Sequence, residues 1–352
     1  MKRDENLDLI RSTAIVFLVG LHFIAGTGWY MLPNVGAAHL LVQGYRVLVN
    51  NCVPLFLLLT GYLCSRKELR ASHYLGLVHI YGIYLLSCGA SLLMKAFWLH
   101  EAMDLRYVIG SVVNHYACDY SWYVSMYTGL FLLIPFLNRM YHGLESKGQK
   151  QVLIGTMAFL TALPSLLNLN VSLYFIWWKN LYPLTYYVIG AYLREYRPTI
   201  RPGKGLLLLA AGVAGFGLVN FLCCRPGVFL WTDFTGFTGL PCLVTSVLLF
   251  LLLQQVKLDR WPLALRRGIG TVSRLSYGAY LFSFLSDTWI HGVLRETVRE
   301  PMARFRYGLP CILASLLLAL GMSFLAERLA APLEKGVCDG LRGLYRKLAK
   351  SE

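Results

Sequence analysis

The chain has 352 residues, of which 57% are hydrophobic and only 14% charged. Soluble domains carry about 25% charged and about 45–50% apolar residues, so this composition excludes an ordinary soluble enzyme, a disordered chain and a nucleic-acid-binding domain. The net charge of +15 reads as a basic excess in the loops on one side of a membrane.

A bilayer core takes about 20 apolar residues per helix. On that criterion about ten spans follow in chain order: residues 7–29, 37–64, 74–98, 121–141, 151–169, 181–193, 205–222, 236–256, 272–294 and 307–325. Of the 33 Lys and Arg, 23 lie in one set of alternate loops or at the span ends beside them, seven in the other set and three well inside spans. That asymmetry places both termini in the cytoplasm. Residues 334–352 read as a basic amphipathic tail on the inner leaflet. Residues 1–333 then form a single transmembrane domain. The nine Cys lie mostly in apolar stretches with no C-x-x-C pair, as packing residues do.

Ionisable side chains inside spans are costly and mark candidate function. The first span holds Asp8, Arg11 and His22. At about 100° per residue, the step from Arg11 to His22 is three turns plus roughly 20°, which puts both on one face with His22 about 16 Å deeper. Asp8 lies one turn before Arg11, placed for an i,i+3 ion pair. A guanidinium stays charged and grips phosphate or carboxylate with paired donors. An imidazole takes up a proton or an acyl group near neutral pH. The stripe suits an anionic carrier held at Arg11 with an extended arm reaching His22. The structural alternative is a His22 bonded to a neighbouring helix and an Arg11 reaching lipid phosphates.

Arg46 and Asn50 lie one turn apart in the second span, at the depth of His22 and ahead of a break at Pro54. They are expected to face His22, binding substrate or stabilising an oxyanion. The alternative is an interhelical hydrogen-bond pair. The ninth span carries Ser273, Ser276, Tyr280, Ser283 and Asp287 at helical spacing, a stripe expected to line a cavity. Trp122, Tyr123, Trp177 and Trp178 fit an interfacial aromatic belt. His79 fits a structural histidine.

Four segments then stand in a telling order. They are Leu7-Asp8-x-x-Arg11 with Arg11-x10-His22; Val53-Pro54-Leu55-Phe56 running to Thr60-Gly61-Tyr62-Leu63; Trp122-Tyr123 with Gly129, Leu130 and Pro135; and Ser276-Tyr277-Gly278-Ala279-Tyr280-Leu281. Together they resemble the membrane acyltransferase-3 family, the O-acetylase-type acyltransferases of bacterial cell surfaces. The chain departs from the family pattern at three places. Phe282-Ser283 stands where a His is common, Ser125 where an acid is common, and Lys67-x-x-Arg70 replaces an Arg-x-x-Arg element.

The expectation is an all-α polytopic membrane protein in the bacterial cytoplasmic membrane. It moves an acyl group, acetyl above all, from acyl-CoA as co-substrate to a hydroxyl of a cell-surface or lipid-linked glycan. His22 and Arg11 are the expected catalytic residues, with Asp8, Arg46 and Asn50 in support. Arg11, Lys67 and Arg70 are expected to bind acyl-CoA, and Ser125, Tyr280, Ser283 and Asp287 to line the cavity. His22 is either general base or transient acyl carrier. No metal and no nucleic acid is implied. The rival reading is a transporter or flippase for an amphiphilic anion or glycolipid, which embedded Arg residues and a broken helix also fit. The lack of an inverted repeat in the sequence speaks against it. Reporter fusions test the orientation: those after Arg70, Lys150, Lys204 and Arg267 read cytoplasmic, and those near Asn34, Asp119 and Gly227 external. An external signal at Arg267 rejects the ten-span arrangement.

Overall fold

The computed structural model describes residues 3–167, 176–224 and 227–348, and every regular element among them is a helix. The first five are α1 (Glu5–Gly26), α2 (Gly36–Val49), α3 (Cys52–Cys64), α4 (Ala71–Tyr74) and α5 (Gly76–Phe97). There follow α6 (Leu105–Val113), α7 (Trp122–His142), α8 (Lys147–Thr161), α9 (Pro164–Leu167) and α10 (Tyr182–Tyr196). The last four are α11 (Pro202–Cys223), α12 (Leu240–Gln254), α13 (Leu263–Thr297) and α14 (Gly308–Leu348).

Among the described residues, six stretches are long and apolar enough to cross a membrane: Glu5–Gly26, Gly36–Cys64, Ala71–Phe97, Pro202–Cys223, Asp233–Gln254 and Ala303–Gly343. The other four expected spans are also helical where described, residues 168 and 169 of the fifth lying outside the described residues, but length or polarity keeps them out of that set. α8 and α10 have 15 residues each, about 22 Å of helix against a hydrocarbon core of about 30 Å. α7 and α13 are longer, yet Tyr, Ser, Asn, Arg, Asp and His interrupt their apolar runs. The expected tail is not a separate element. α14 continues through residues 333 and 334 with Pro332 inside it, and Glu334 bonds His79 Nδ1 on α5 at 3.0 Å.

α1 and α3 form the centre. Ile10, Ala14, Ile15, Val19, Leu55, Leu57 and Leu58 are fully buried, and α1 packs against α3, α12, α13 and α14. Asp4 caps α1, its side chain accepting from Asn6 N. α1 and α13 run parallel: Glu5, Asp8 and Ser12 near the start of α1 meet residues 266–273 in the first part of α13, and His22 meets Asp287 further along both. Glu5 takes a two-pronged bond from Arg266 at 2.6 Å. Ser12 Oγ donates to Ile269 O at 2.9 Å. Asp8 accepts from Ser273 at 2.7 Å.

The second expected span is broken, and the break lies at Asn50–Asn51, between α2 and α3. Pro54 sits in the first turn of α3, where a missing N–H is tolerated. The carbonyl that Pro54 cannot serve is Asn50 O, and Cys242 of α12 points its thiol there at 3.3 Å. Asn51 Nδ2 serves Val47 O at 3.1 Å and Leu48 O at 2.8 Å. Thr245 in turn donates to Asn51 Oδ1 at 2.7 Å.

Beyond the break, α3 lies against α10 at backbone distance. A Cβ on Gly61 would stand 2.0 Å from Tyr187 O, and one on Gly190 2.2 Å from Leu58 O. The glycine in the Thr60-Gly61-Tyr62-Leu63 element is therefore a packing requirement of this helix pair. Gly61→Ala and Gly190→Ala are expected to lower stability by about 1–3 kcal/mol or more through overpacking. A clear fall in the melting midpoint of the purified protein in detergent is the readout. Gly89→Ala, with open space around its site, serves as the neutral control. Equal midpoints for all three reject the close-contact account.

Candidate active site

His22 lies in the C-terminal half of α1, and its Nδ1 stands 2.9 Å from Asp287 Oδ2 on α13. Asp287 is 1% exposed. A buried carboxylate needs donors around it, and this one has three. Besides His22, Tyr120 OH donates to Oδ2 at 3.3 Å, and Ser315 of α14 donates to Oδ1 in a short bond. With Asp287 ionised, the carboxylate only accepts, His22 then donates from Nδ1, and its Nε2 lone pair is left free. This is the orientation of a general base held by an acid partner. Tyr120 also lies face to face with the imidazole, ring centroids 3.7 Å apart at 21°. His291, one turn beyond Asp287, brings Nε2 to 4.0 Å from Oδ1. Its ring fits because residue 26 is glycine: a Cβ there would lie 2.2 Å from His291 Nδ1.

Arg11 stands at the other end of the same helix pair. Its Nη1 donates to Ser273 Oγ at 3.2 Å, and Ser273 donates to Asp8 Oδ1. The direct Asp8–Arg11 pair expected from i,i+3 spacing is not made. Asp8 is taken by Arg3, at 2.5 and 2.9 Å, which reaches back from the N-cap side of α1. That pairing holds the Arg3 guanidinium above its usual range, first through the Asp8 hydrogen bond. Arg11 lines a cavity of about 290 Å³ with Leu18, Thr60, Cys64, His79, Tyr127 and Tyr280 among its walls. Along α1 the lining runs from Arg11 to Leu18, about 10 Å of helix. His22 is one turn beyond Leu18 and does not itself line the cavity.

The remaining expected residues divide. Tyr280 lines the cavity, whereas Ser283 and Asp287 do not; both are buried, with Ser283 3.5 Å from His22 Nδ1. Ser125 lies on the exposed face of α7 and lines no part of the cavity. Lys67 and Arg70 follow α3 and line an open cleft with Arg66, Glu68 and His73. Arg70 pairs there with Glu68 at 2.6 Å. Cys64 belongs to the cavity and Arg66 to the cleft, so the two adjoin at the end of α3. Arg46 and Asn50 do not face His22. The Arg46 guanidinium lies 4.3 Å above Phe229 and 5.3 Å above Trp231. It donates to Tyr30 OH and to Thr235 O, and Asn50 Nδ2 shares Thr235 O at 3.3 Å. Both hold the loop before α12 onto α2, which is the interhelical alternative in a more elaborate form.

Comparison with known families decides the wider identity. The acyltransferase-3 domain, described as an acyltransferase domain, matches residues 4–326. The chain belongs to this family. No curated protein and no solved structure matches it. The family places acyl transfer in a multi-pass membrane protein, with an acyl donor and an acceptor as its substrates.

Sequence reasoning did not tie Asp287 to His22, and it missed Tyr120 and Ser315. One signal was present: Asp8 to His22 and Ser273 to Asp287 are both steps of 14 residues, which is what two parallel helices in register produce. Asp287→Asn is expected to keep the fold and lower acyl transfer by about 10²–10⁴-fold, because an amide holds the imidazole in the wrong tautomer. Turnover of the purified variant in lipid, beside its melting midpoint, is the measurement. Parent-like turnover removes Asp287 from the site.

Proposed function

We propose that this acyltransferase-3 protein moves an acetyl group from acetyl-CoA to a hydroxyl of a cell-surface or lipid-linked glycan, in the cytoplasmic membrane of a bacterium. The observation that carries this reading is the His22–Asp287 pair, set one helix turn past a cavity whose far end holds Arg11. In this reading the carrier enters from the cytoplasmic side. Arg11 spends one N–H on Ser273 and offers its other donors to the carrier's phosphate or thioester oxygens. Lys67 and Arg70, with Arg66, take the nucleotide phosphates on the adjoining cleft. The extended pantetheine arm lies in the cavity with the thioester toward His22.

His22 then acts as general base. Nε2 takes the proton of the acceptor hydroxyl as the oxygen attacks the thioester carbonyl. The C–S bond breaks, the new ester forms, and the proton passes from His22 to the sulfur of coenzyme A. Asp287 holds the Nδ1–H and offsets the charge of the imidazolium in between.

Two substitutions test the roles separately. His22→Gln keeps a polar group in the bundle and is expected to lose about 10²–10⁴-fold in transfer while still binding acetyl-CoA. Arg11→Lys is expected to raise the dissociation constant for acetyl-CoA about tenfold, on the scale of a lost hydrogen bond to a charged group. A folded His22→Gln protein with parent turnover refutes the base, and unchanged binding in Arg11→Lys refutes the anchor.

A further inference from the structure

The loop before α7 carries the ring stacked on the imidazole, and the transfer steps above do not use it. Tyr120 sits on this loop. Its backbone is fixed from α13 at two successive residues: Tyr280 OH donates to Tyr120 O in a short bond, and the Cys118 thiol points to Leu281 O at 3.5 Å. Ser121 Oγ closes the turn onto His115 O at 2.7 Å. His115 stacks on Tyr84, and burial pushes its imidazole below the usual histidine range. The same helix α13 carries Asp287. The carboxylate and the aromatic ring are thus mounted on one frame, and His22 is held between them.

The geometry of the stack is not what packing alone favours. Neutral aromatic rings prefer offset or edge-on contacts, with centroids about 4.5–7 Å apart. Here the rings lie nearly parallel with centroids at 3.7 Å. The face of a phenol is the negative pole of its quadrupole, so the contact strengthens when the imidazole becomes a cation. In a base-catalysed transfer that happens as the acceptor proton leaves. An interaction that grows toward the transition state accelerates the step, whereas one equally strong throughout does not. The Tyr120 hydroxyl adds to this by bonding the same oxygen, Oδ2, that holds His22 Nδ1, which resists rotation of the carboxylate.

We infer that Tyr120 is a positioning residue for His22. It clamps the imidazole against Asp287 from one face and stabilises the imidazolium that forms during transfer. Tyr280, in the cavity wall, sets its position. The inference rests on His22 being the general base.

The test uses the full-length protein in lipid vesicles with acetyl-CoA as donor and methyl glucoside as hydroxyl probe, reading release of coenzyme A. Tyr120→Leu removes the stack. It is expected to lower kcat about 10–30-fold, the worth of a desolvated cation–π contact, with KM for acetyl-CoA little changed. Tyr120→Phe keeps the ring and is expected to recover all but about threefold, the cost of one hydrogen bond. A parallel readout needs no turnover: carbethoxylation of His22 by diethyl pyrocarbonate, followed by mass spectrometry. It should run several-fold faster in Tyr120→Leu than in the parent or in Tyr120→Phe. Should Tyr120→Leu match the parent in kcat while His22→Gln is inactive, the inference is overturned and the base reading survives. Should His22→Gln keep its turnover, or the parent release no coenzyme A, the functional reading fails. The labelling rates then decide Tyr120 alone, and equal rates in parent and Tyr120→Leu overturn the clamp.

Discussion

One buried carboxylate organises this molecule. A charge as enclosed as Asp287 stands only where donors surround it. Its donors come from three other parts of the chain: His22 on α1, Tyr120 on the loop before α7 and Ser315 on α14. Satisfying that single group fixes how four segments sit relative to one another. The apolar packing of the bundle tolerates small slides, since one aliphatic contact replaces another. The carboxylate does not, because hydrogen bonds fail within a few tenths of an ångström and with modest changes of angle.

The other end of the α1–α13 pair repeats the device in a wetter setting. Asp8 is held by Arg3 and Ser273, and Ser273 passes the network on to Arg11. Arg11 and His22 are therefore referenced to the same partner helix at both ends. A shift of one helix turn, about 5.4 Å, would break both networks together. The separation between Arg11 and His22 is a property of two parallel helices rather than of either alone. Between them the cavity wall is largely apolar and aromatic, with Tyr127 and Tyr280 supplying hydroxyls.

What the sequence disclosed follows from what it encodes locally. Rise and rotation along one helix placed Arg11 and His22 on a shared stripe, and the structure sets both against α13. Counting rise also put Arg46 at the depth of His22, but depth says nothing about azimuth. Arg46 turns toward Thr235, 189 positions away, and toward aromatic rings on the loop before α12. The Asp8–Arg11 pair failed for a related reason: Arg3, outside the helix, and Ser273, on another helix, reach the carboxylate with better geometry. Tyr120 was invisible because it lies in a loop, where no periodicity marks which way a side chain faces. The Ser125 expectation came from the family pattern, and the face of α7 it occupies is turned outward.

The interruption between α2 and α3 carries a consequence for the membrane itself. Broken helices at bilayer depth usually leave carbonyls that ions or water can borrow. Here Val47 O, Leu48 O, Asn50 O and Asn51 O each have a donor from within the protein. The donors are an amide, a thiol and a backbone N–H, and both asparagines are buried. With those four oxygens engaged, the bend offers protons and sodium few coordinating groups along this line.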